Sequence, residues 1–168
     1  DRFELCKSRD GHAVPALRWE PLLAGKRPAI WIQARQHAWE SGGSWVCRGL
    51  VEWLASKEGA ALRTCARIFV VPIMDVDNVQ RGAGGKNQIP HDHNRDWSDQ
   101  PHWPEVAAAQ KWIQRLNRDG DFVLFLDLHN PAPGDTRPFY FGSPKSRLNP
   151  GRMANQGRFH QLSQQIMG

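Results

Sequence analysis

A histidine and a glutamate stand three positions apart in the stretch His37-Ala-Trp-Glu40. Imidazole nitrogens and carboxylate oxygens are both ordinary ligands of zinc. The pair alone is a weak signal, because a chain with 7 histidines and 17 acidic residues contains such pairs by chance. Its position adds information, since it lies between a strand-like and a helix-like segment, where ligands of open α/β sheets bind. A loop histidine beside a helix-starting glutamate would give the same pattern.

A second polar cluster, Asp127-Leu-His129-Asn130, ends the most strand-like segment of the chain. A buried strand that ends in Asp-x-His places His129 at the carboxyl edge of the sheet, the edge that would also carry His37 and Glu40. Two nitrogen ligands and one oxygen ligand, with a fourth position left for water, form a typical catalytic zinc set. The residues therefore predict a catalytic metal site at this edge.

A third cluster, residues 91–97, lies within a long irregular stretch. It contains His91 and His93, and because His-x-His is itself a metal-binding pattern, these two histidines are alternative ligand candidates. Asn94 and Arg95 follow them, and a plain ion pair in a loop is one explanation of that arginine.

The elements that must position these clusters alternate between strands and helices. We expect strands in residues 3–19 (two, around the turn Asp10-Gly11), 29–34, 67–73, 122–129 and 138–142. Helices are expected from Ser44, from Pro104 to about Gly120, and over 155–167. The residues expected to share the apolar face of the first helix are Val46, Leu50, Trp53 and Leu54. Residues 75–103 show neither period. This order predicts an α/β protein whose central sheet, largely parallel or mixed, is flanked by helices.

Composition limits the classes of function. With 168 residues, of which 40% are hydrophobic, the chain fits one globular domain. No apolar run approaches the ~20 residues that span a bilayer, so no membrane partner is expected. The net charge of +5 comes from scattered arginines and lysines, which argues against nucleic acid as a partner. Three cysteines without a Cys-x-x-Cys pair predict reduced thiols.

The three clusters in this order carry a resemblance. His-x-x-Glu, then Asp-x-Asn-Arg, then Asp-Leu-His resembles the zinc metallocarboxypeptidase family typified by carboxypeptidase A, and the phrase from Ala34 to Ser41 is most similar to its cytosolic branch. The resemblance covers roughly residues 28–142, about the first half of that family's catalytic domain. It implies a Zn²⁺ cofactor, hydrolysis of peptide or isopeptide bonds at a peptide or protein C-terminus, and a cytoplasmic location. The whole chain, 1–168, is then expected to be the N-terminal portion of one catalytic domain.

The resemblance also implies roles for individual residues. The three zinc ligands that it implies are His37, Glu40 and His129. Asp92 matches the acid that hydrogen-bonds a zinc-bound histidine. Asn94 and Arg95 match the pair that clamps the C-terminal carboxylate of the substrate. An arginine that polarises the scissile carbonyl is also expected, and either Arg81 or Lys86 occupies its place.

One family feature is missing from the sequence. The family's general base is a glutamate well downstream of the third ligand, yet no Glu and only one Asp, Asp135, follow His129. The chain is therefore expected to be a fragment of a longer reading frame, with feeble activity or none. Two other possibilities are a zinc deacylase of the aspartoacylase or succinylglutamate desuccinylase type, suggested by Asp-Leu-His-Asn, and a zinc-binding module without catalysis. The sequence leaves the oligomeric state and the preferred terminal residue open.

Overall fold

Five strands form one mixed sheet, β1 (Arg2–Lys7), β2 (Ala13–Trp19), β3 (Ala29–Ala34), β4 (Arg67–Val71) and β5 (Phe122–Leu128), in the order β1-β2-β4-β3-β5. β3 pairs in parallel with β4 and with β5, whereas β2 is antiparallel to β1 and β4. The expected α/β class with a mixed sheet is confirmed.

The computed structural model describes residues 1–21, 25–119, 121–130, 132, 134–135 and 139–167. The chain divides into two compact units, residues 1–130, which hold the sheet, and 131–168.

The helices are α1 (Ser41–Ala55), α2 (Ala60–Cys65), α3 (Val76–Arg81), α4 (Pro104–Arg118) and α5 (Pro150–Met167). Successive residues of a strand point to opposite faces of the sheet, so β3 sends Trp31 to one side and Ile32 to the other. Trp31 and Phe69 pack in a core with α4, and Ile32 packs in a second core with α1. Within the described residues, no helix is long and apolar enough to cross a membrane.

The face of α1 that is buried differs from the predicted one. The helix begins at Ser41, three residues early, and its buried residues are Gly43, Cys47 and Leu54. Of the predicted face, Leu54 is buried and Leu50 packs against the core, but Val46 and Trp53 are 59% and 43% exposed. Helix and strand approach closely at Gly43, where a Cβ would meet the carbonyl oxygen of Leu128 at 2.7 Å. This backbone contact turns Gly43 and Cys47 towards the sheet together with Leu54.

Three further expectations were wrong in part. Residues 75–103 contain the helix α3 and a 3-10 turn, His93–Arg95. Each begins after an aspartate whose side chain accepts a backbone N–H, which stabilises the first turn. The helix α2 had not been expected, and α5 begins at residue 150 instead of 155.

The last expected strand, 138–142, is not formed in its described part. Residue 138 lies outside the described residues, and 139–142 form no strand. A strand needs a hydrogen-bonded neighbour, and no strand occurs among the described residues of the 131–168 unit.

The loop after α3 packs against the segment between β3 and α1. The backbone N–H of Trp39 donates to the carbonyl of Gly84 at 3.1 Å. Gly85 has a φ of +80°, and a Cβ there would meet the side chain of Asp75 and, at 2.9 Å, the backbone nitrogen of Ala38. Gly82 has a similar φ of +67°, but a Cβ there would have nothing within 4 Å. These two glycines share a conformation and differ in their surroundings.

The change Gly85→Ala should therefore destabilise the fold more than Gly82→Ala. Each forces an L-residue into the left-handed region, at a cost of about 1–2 kcal/mol. Gly85→Ala also overpacks a backbone contact, which adds about 1–3 kcal/mol. Urea unfolding of both variants measures the difference, and equal losses of unfolding free energy would show that the contact with Ala38 is loose.

Candidate metal centre

Glu40 lies between two histidines at the carboxyl ends of β3 and β5. The Nδ1 atom of His37 is 2.8 Å from Oε1 of Glu40, and the Nδ1 atom of His129 is 2.6 Å from Oε2. One candidate ligand atom from each residue lies within 4.8 Å of the others. The structure thus brings together the three residues that the sequence singled out. Two imidazole nitrogens and a carboxylate oxygen gathered in this way fit a zinc ion.

Parallel strand pairing accounts for this assembly. Ala34 at the end of β3 is paired with Leu128 at the end of β5, so the residues that follow both strands emerge at one edge of the sheet. The chain then turns at Arg35, which has a left-handed φ of +61°. The Nε atom of Arg35 donates to the carbonyl of Ala38 at 2.7 Å, which bridges the turn that contains His37. A non-glycine residue held in this conformation stores strain of about 1–3 kcal/mol.

Asn130, next to His129, ties the start of α1 to this cluster. Its Oδ1 atom accepts the backbone N–H of Gly43 at 3.2 Å and so caps the helix. Its own backbone N–H donates to Oε2 of Glu40 at 3.3 Å. The start of α1 and the Glu40 carboxylate are therefore both fixed to the end of β5.

The remaining nitrogen of each histidine faces an aspartate. The Nε2 atom of His37 is 3.4 Å from Oδ1 of Asp92, and the Nε2 atom of His129 is 3.0 Å from Oδ2 of Asp127. In metal sites such carboxylates select the tautomer of a histidine ligand and orient its ring. Asp92, to which the resemblance assigns a hydrogen bond with a zinc-bound histidine, is close to His37, although the Nε2 atom of His37 has no hydrogen-bond partner among the described residues. The role of Asp127 was missed, although its spacing, two residues before His129 on one face of a strand, could have revealed it.

The charges of the cluster shift two pKa values in opposite directions. Burial alone would raise the pKa of Glu40, but hydrogen bonds and charge from His129 and His37 lower it to about 2. Burial alone would lower the pKa of His129, but hydrogen bonds and charge from Asp127 and Glu40 raise it to about 10. Without metal, the cluster is therefore held as a carboxylate beside an imidazolium.

Of the two residues expected to clamp a carboxylate, Asn94 is linked to this centre through Gln36, whose Nε2 atom donates to Oδ1 of Asn94 at 3.4 Å. No described residue accepts a hydrogen bond from the Nδ2 group of Asn94. Arg95 follows directly; its side chain is exposed, and no carboxylate of the described residues pairs with its guanidinium. A guanidinium fork without such a partner suits an anionic group. Gln36 was not singled out by the sequence, because its contacts are made with residues far along the chain.

Arg81 and Lys86, the alternatives for polarising a carbonyl, differ in their surroundings. The guanidinium of Arg81 forms an ion pair with Asp10 at the turn between β1 and β2. Lys86 is exposed and directly follows Gly85, whose backbone packs against Ala38 beside His37.

The alternative ligands His91 and His93 are engaged elsewhere. The Nε2 atom of His91 is 2.6 Å from Oδ1 of Asp96. His93 is buried, with Nδ1 2.9 Å from the side-chain amide of Gln88 and Nε2 3.3 Å from a carboxylate oxygen of Glu105. Neither histidine belongs to a group of three candidate ligands among the described residues.

Comparison with known proteins agrees with this geometry. The sequence model of a family described as zinc carboxypeptidase matches residues 3–133. Cytosolic carboxypeptidase 6 of Caenorhabditis elegans is 31% identical over 111 residues, which are 62% of this chain and 24% of that protein. A metallo-carboxypeptidase from Burkholderia cenocepacia superposes with a TM-score of 0.66 at 26% identity, over 78% of this chain and 36% of that one. A metallo-carboxypeptidase from Pseudomonas aeruginosa, in complex with (2-guanidinoethylmercapto)succinic acid, gives a TM-score of 0.63 at 29% identity, over 77% and 35% of the chains.

This chain is much shorter than the proteins that it resembles. It spans 24% of the Caenorhabditis elegans protein and 15% of human cytosolic carboxypeptidase 2. The similarity therefore concerns one part of those proteins.

In the metal-free chain, His129 should stabilise the fold within a definite pH window. Because its pKa is raised from 6.5 to about 10, its contribution is complete below pH 6.5 and is lost as pH rises towards 10. The pKa of Glu40 is lowered from 4.5 to about 2, so its contribution is complete above pH 4.5 and is lost as pH falls towards 2. The loss of unfolding free energy caused by His129→Ala, measured with a chelator present, should therefore be largest between pH 4.5 and pH 6.5. A loss that stays constant up to pH 10 would contradict the ion-paired cluster.

Proposed function

The chain belongs to the zinc carboxypeptidase family, and on that premise we propose that it forms the metal-binding part of an enzyme that hydrolyses C-terminal peptide or isopeptide bonds. The single observation that carries the proposal is the Glu40 carboxylate between the Nδ1 atoms of His37 and His129, at 2.8 and 2.6 Å. These three residues would hold the zinc ion. We further propose that residues 1–168 are the N-terminal portion of one catalytic domain.

Each neighbouring residue has a distinct role in this proposal. A zinc ion held by these three ligands would supply Lewis acidity. Asp92 keeps His37 in the tautomer that presents Nδ1 to the metal. Arg95 binds the terminal carboxylate through its planar fork, and Asn94 donates a further hydrogen bond. This clamp orients the last peptide bond of the substrate at the metal.

For stabilising the developing oxyanion we favour Lys86 over Arg81. The charge of Arg81 is neutralised by Asp10 at the turn between β1 and β2. Lys86 follows the glycine that contacts the metal-binding segment, and no carboxylate of the described residues forms an ion pair with it. Its charge therefore remains available for a substrate oxygen.

The proton-transferring base is proposed to lie outside these residues. Glu40, Asp92 and Asp127 each already face a histidine. The Oδ2 atom of Asp135 accepts the backbone N–H of Ala132 at 2.7 Å, which closes a local turn. General acid–base catalysis contributes about 10²–10⁴ in rate, so we expect the chain alone to bind substrate and to hydrolyse it feebly.

The deacylase alternative is not favoured, because the family model and the relatives given above are carboxypeptidases. The Pseudomonas aeruginosa structure is a complex with a succinic acid derivative. This ligand agrees with the proposal that the site of the present chain recognises carboxylates. By similarity to the cytosolic carboxypeptidases, we propose a cytosolic location. A binding module without catalysis is a further outcome of the experiment below.

The zinc-loaded chain should bind an N-blocked dipeptide with a free C-terminus at least tenfold more tightly than the same peptide amidated. A charge-assisted hydrogen bond contributes about 1.5–3 kcal/mol, and only the free carboxylate can form it with Arg95. Binding can be followed by tryptophan fluorescence, and hydrolysis by chromatography of the released amino acid. Arg95→Lys should reduce the preference, because a lysine cannot present a bidentate fork.

Arg48→Lys is the matched control, since Arg48 is an exposed arginine of α1 that pairs with Glu52. Equal binding of the acid and the amide would contradict the proposed clamp. Cleavage of N-acyl amino acids in place of peptides would establish the deacylase alternative. Zinc binding without any preference would leave a non-catalytic module.

A further inference from the structure

A chain of hydrogen bonds leads from Trp97 to His129 through the side chains of Gln36 and Asp127. The indole Nε1–H of Trp97 donates to Oε1 of Gln36 at 2.7 Å. The Nε2 atom of Gln36 donates to Oδ2 of Asp127, and the same oxygen lies 3.0 Å from Nε2 of His129. We call these four residues, Trp97, Gln36, Asp127 and His129, the Gln36 relay.

The donor and acceptor groups of Trp97, Gln36 and Asp127 fix the direction of the hydrogen bonds between them. An indole N–H can only donate, so the amide of Gln36 must turn its oxygen towards Trp97 and its NH₂ group towards Asp127. The reverse orientation would place two donors together at one end and two acceptors at the other. Because Gln36 is fully buried, water cannot relieve either mismatch. The amide therefore has one usable orientation, and its donor end faces Asp127.

The position of the Asp127 carboxylate depends on these contacts. Its Oδ1 atom is buried and has no hydrogen-bond partner among the described residues. Gln36 and His129 therefore provide the hydrogen bonds that hold this carboxylate, both at Oδ2. With a metal at the site, an acceptor held there would keep the proton of His129 on Nε2 and leave the lone pair of Nδ1 for the metal.

We propose that Gln36 and Asp127 are positioning residues for the metal ligand His129: Gln36 holds Asp127, and Asp127 fixes the tautomer and the ring of His129. The inference rests on the metal site of the proposed function. Gln36 also donates to Asn94 at 3.4 Å, so one amide group joins the metal centre to the residue that binds the substrate carboxylate.

A merely structural role for Gln36 would be to fill the core and to accept the indole N–H of Trp97. The sequence offers a matched control for that role in Gln33. Gln33 is also fully buried, and its Oε1 atom accepts the indole N–H of Trp31 at 2.9 Å. It contacts none of the proposed ligands through a hydrogen bond. Gln33→Leu and Gln36→Leu therefore remove the same groups, but only the second breaks the relay.

The experiment measures zinc affinity by competition with a chromogenic chelator, and the ligand field by the visible absorption of the Co²⁺-substituted chain. Gln36→Leu should weaken zinc binding about 10–100-fold and alter the cobalt spectrum. Gln36→Met fills similar space with no donor and only a weak acceptor, so it should show the same loss as Gln36→Leu. Gln33→Leu should keep native zinc affinity and the native spectrum, whatever it costs in thermal stability.

Asp127→Asn and His37→Ala complete the experiment, because they separate a failure of the relay from a failure of the metal site. Asp127→Asn tests the relay if Gln36→Leu does not fold, and it too should weaken zinc binding and change the cobalt spectrum. Native affinity in Gln36→Met, or equal effects of Gln33→Leu and Gln36→Leu, would overturn the positioning role. If the native chain binds zinc no better than His37→Ala, the proposed function fails, and this inference fails with it. If the native chain binds zinc and the relay variants match it, the inference alone is overturned.

Discussion

The parallel pairing of β3 with β5 is the constraint on which the whole site depends. Gln33 is paired with Asp127 and Ala34 with Leu128, so the segment that holds His37 and Glu40 emerges beside the end of β5. A slip of one residue would turn Asp127 and His129 to the opposite face of the sheet. Packing on both faces opposes such a slip, because Trp31 is buried on the α4 side and Ile32 on the α1 side. The hydrophobic core therefore fixes the geometry of the polar cluster.

The cluster collects charge in a place from which water is largely excluded. Burying ionised groups is costly unless they are paired, and here each histidine meets carboxylates on both sides of its ring. Glu40 also lies directly before α1, where the helix dipole favours a negative charge. Asn130 adds a hydrogen bond to the same carboxylate. The fold thus holds the donor set in place through its own hydrogen bonds and ion pairs.

Much of this could be predicted from short-range patterns. The strands and the helix α4 follow from periodicity, and the spacing of His37, Glu40 and His129 at strand ends pointed to one edge of the sheet. The buried face of α1 could not be predicted, because it depends on how closely Gly43 approaches Leu128. The relay through Gln36 was equally invisible, since its partners are 58 to 91 positions away along the chain. The strand expected at 138–142 is absent from its described part, 139–142, because apolar composition alone does not supply a pairing partner.

The most direct test of the central claim is zinc analysis of the purified chain by elemental content and X-ray absorption, beside His37→Ala. The account predicts about one zinc per chain, with imidazole nitrogens at about 2.0–2.1 Å, a carboxylate oxygen and no sulfur. It also predicts that His37→Ala loses the metal. A native chain that takes up no zinc, a variant that keeps it, or a sulfur ligand to the metal would contradict the assignment of His37, Glu40 and His129.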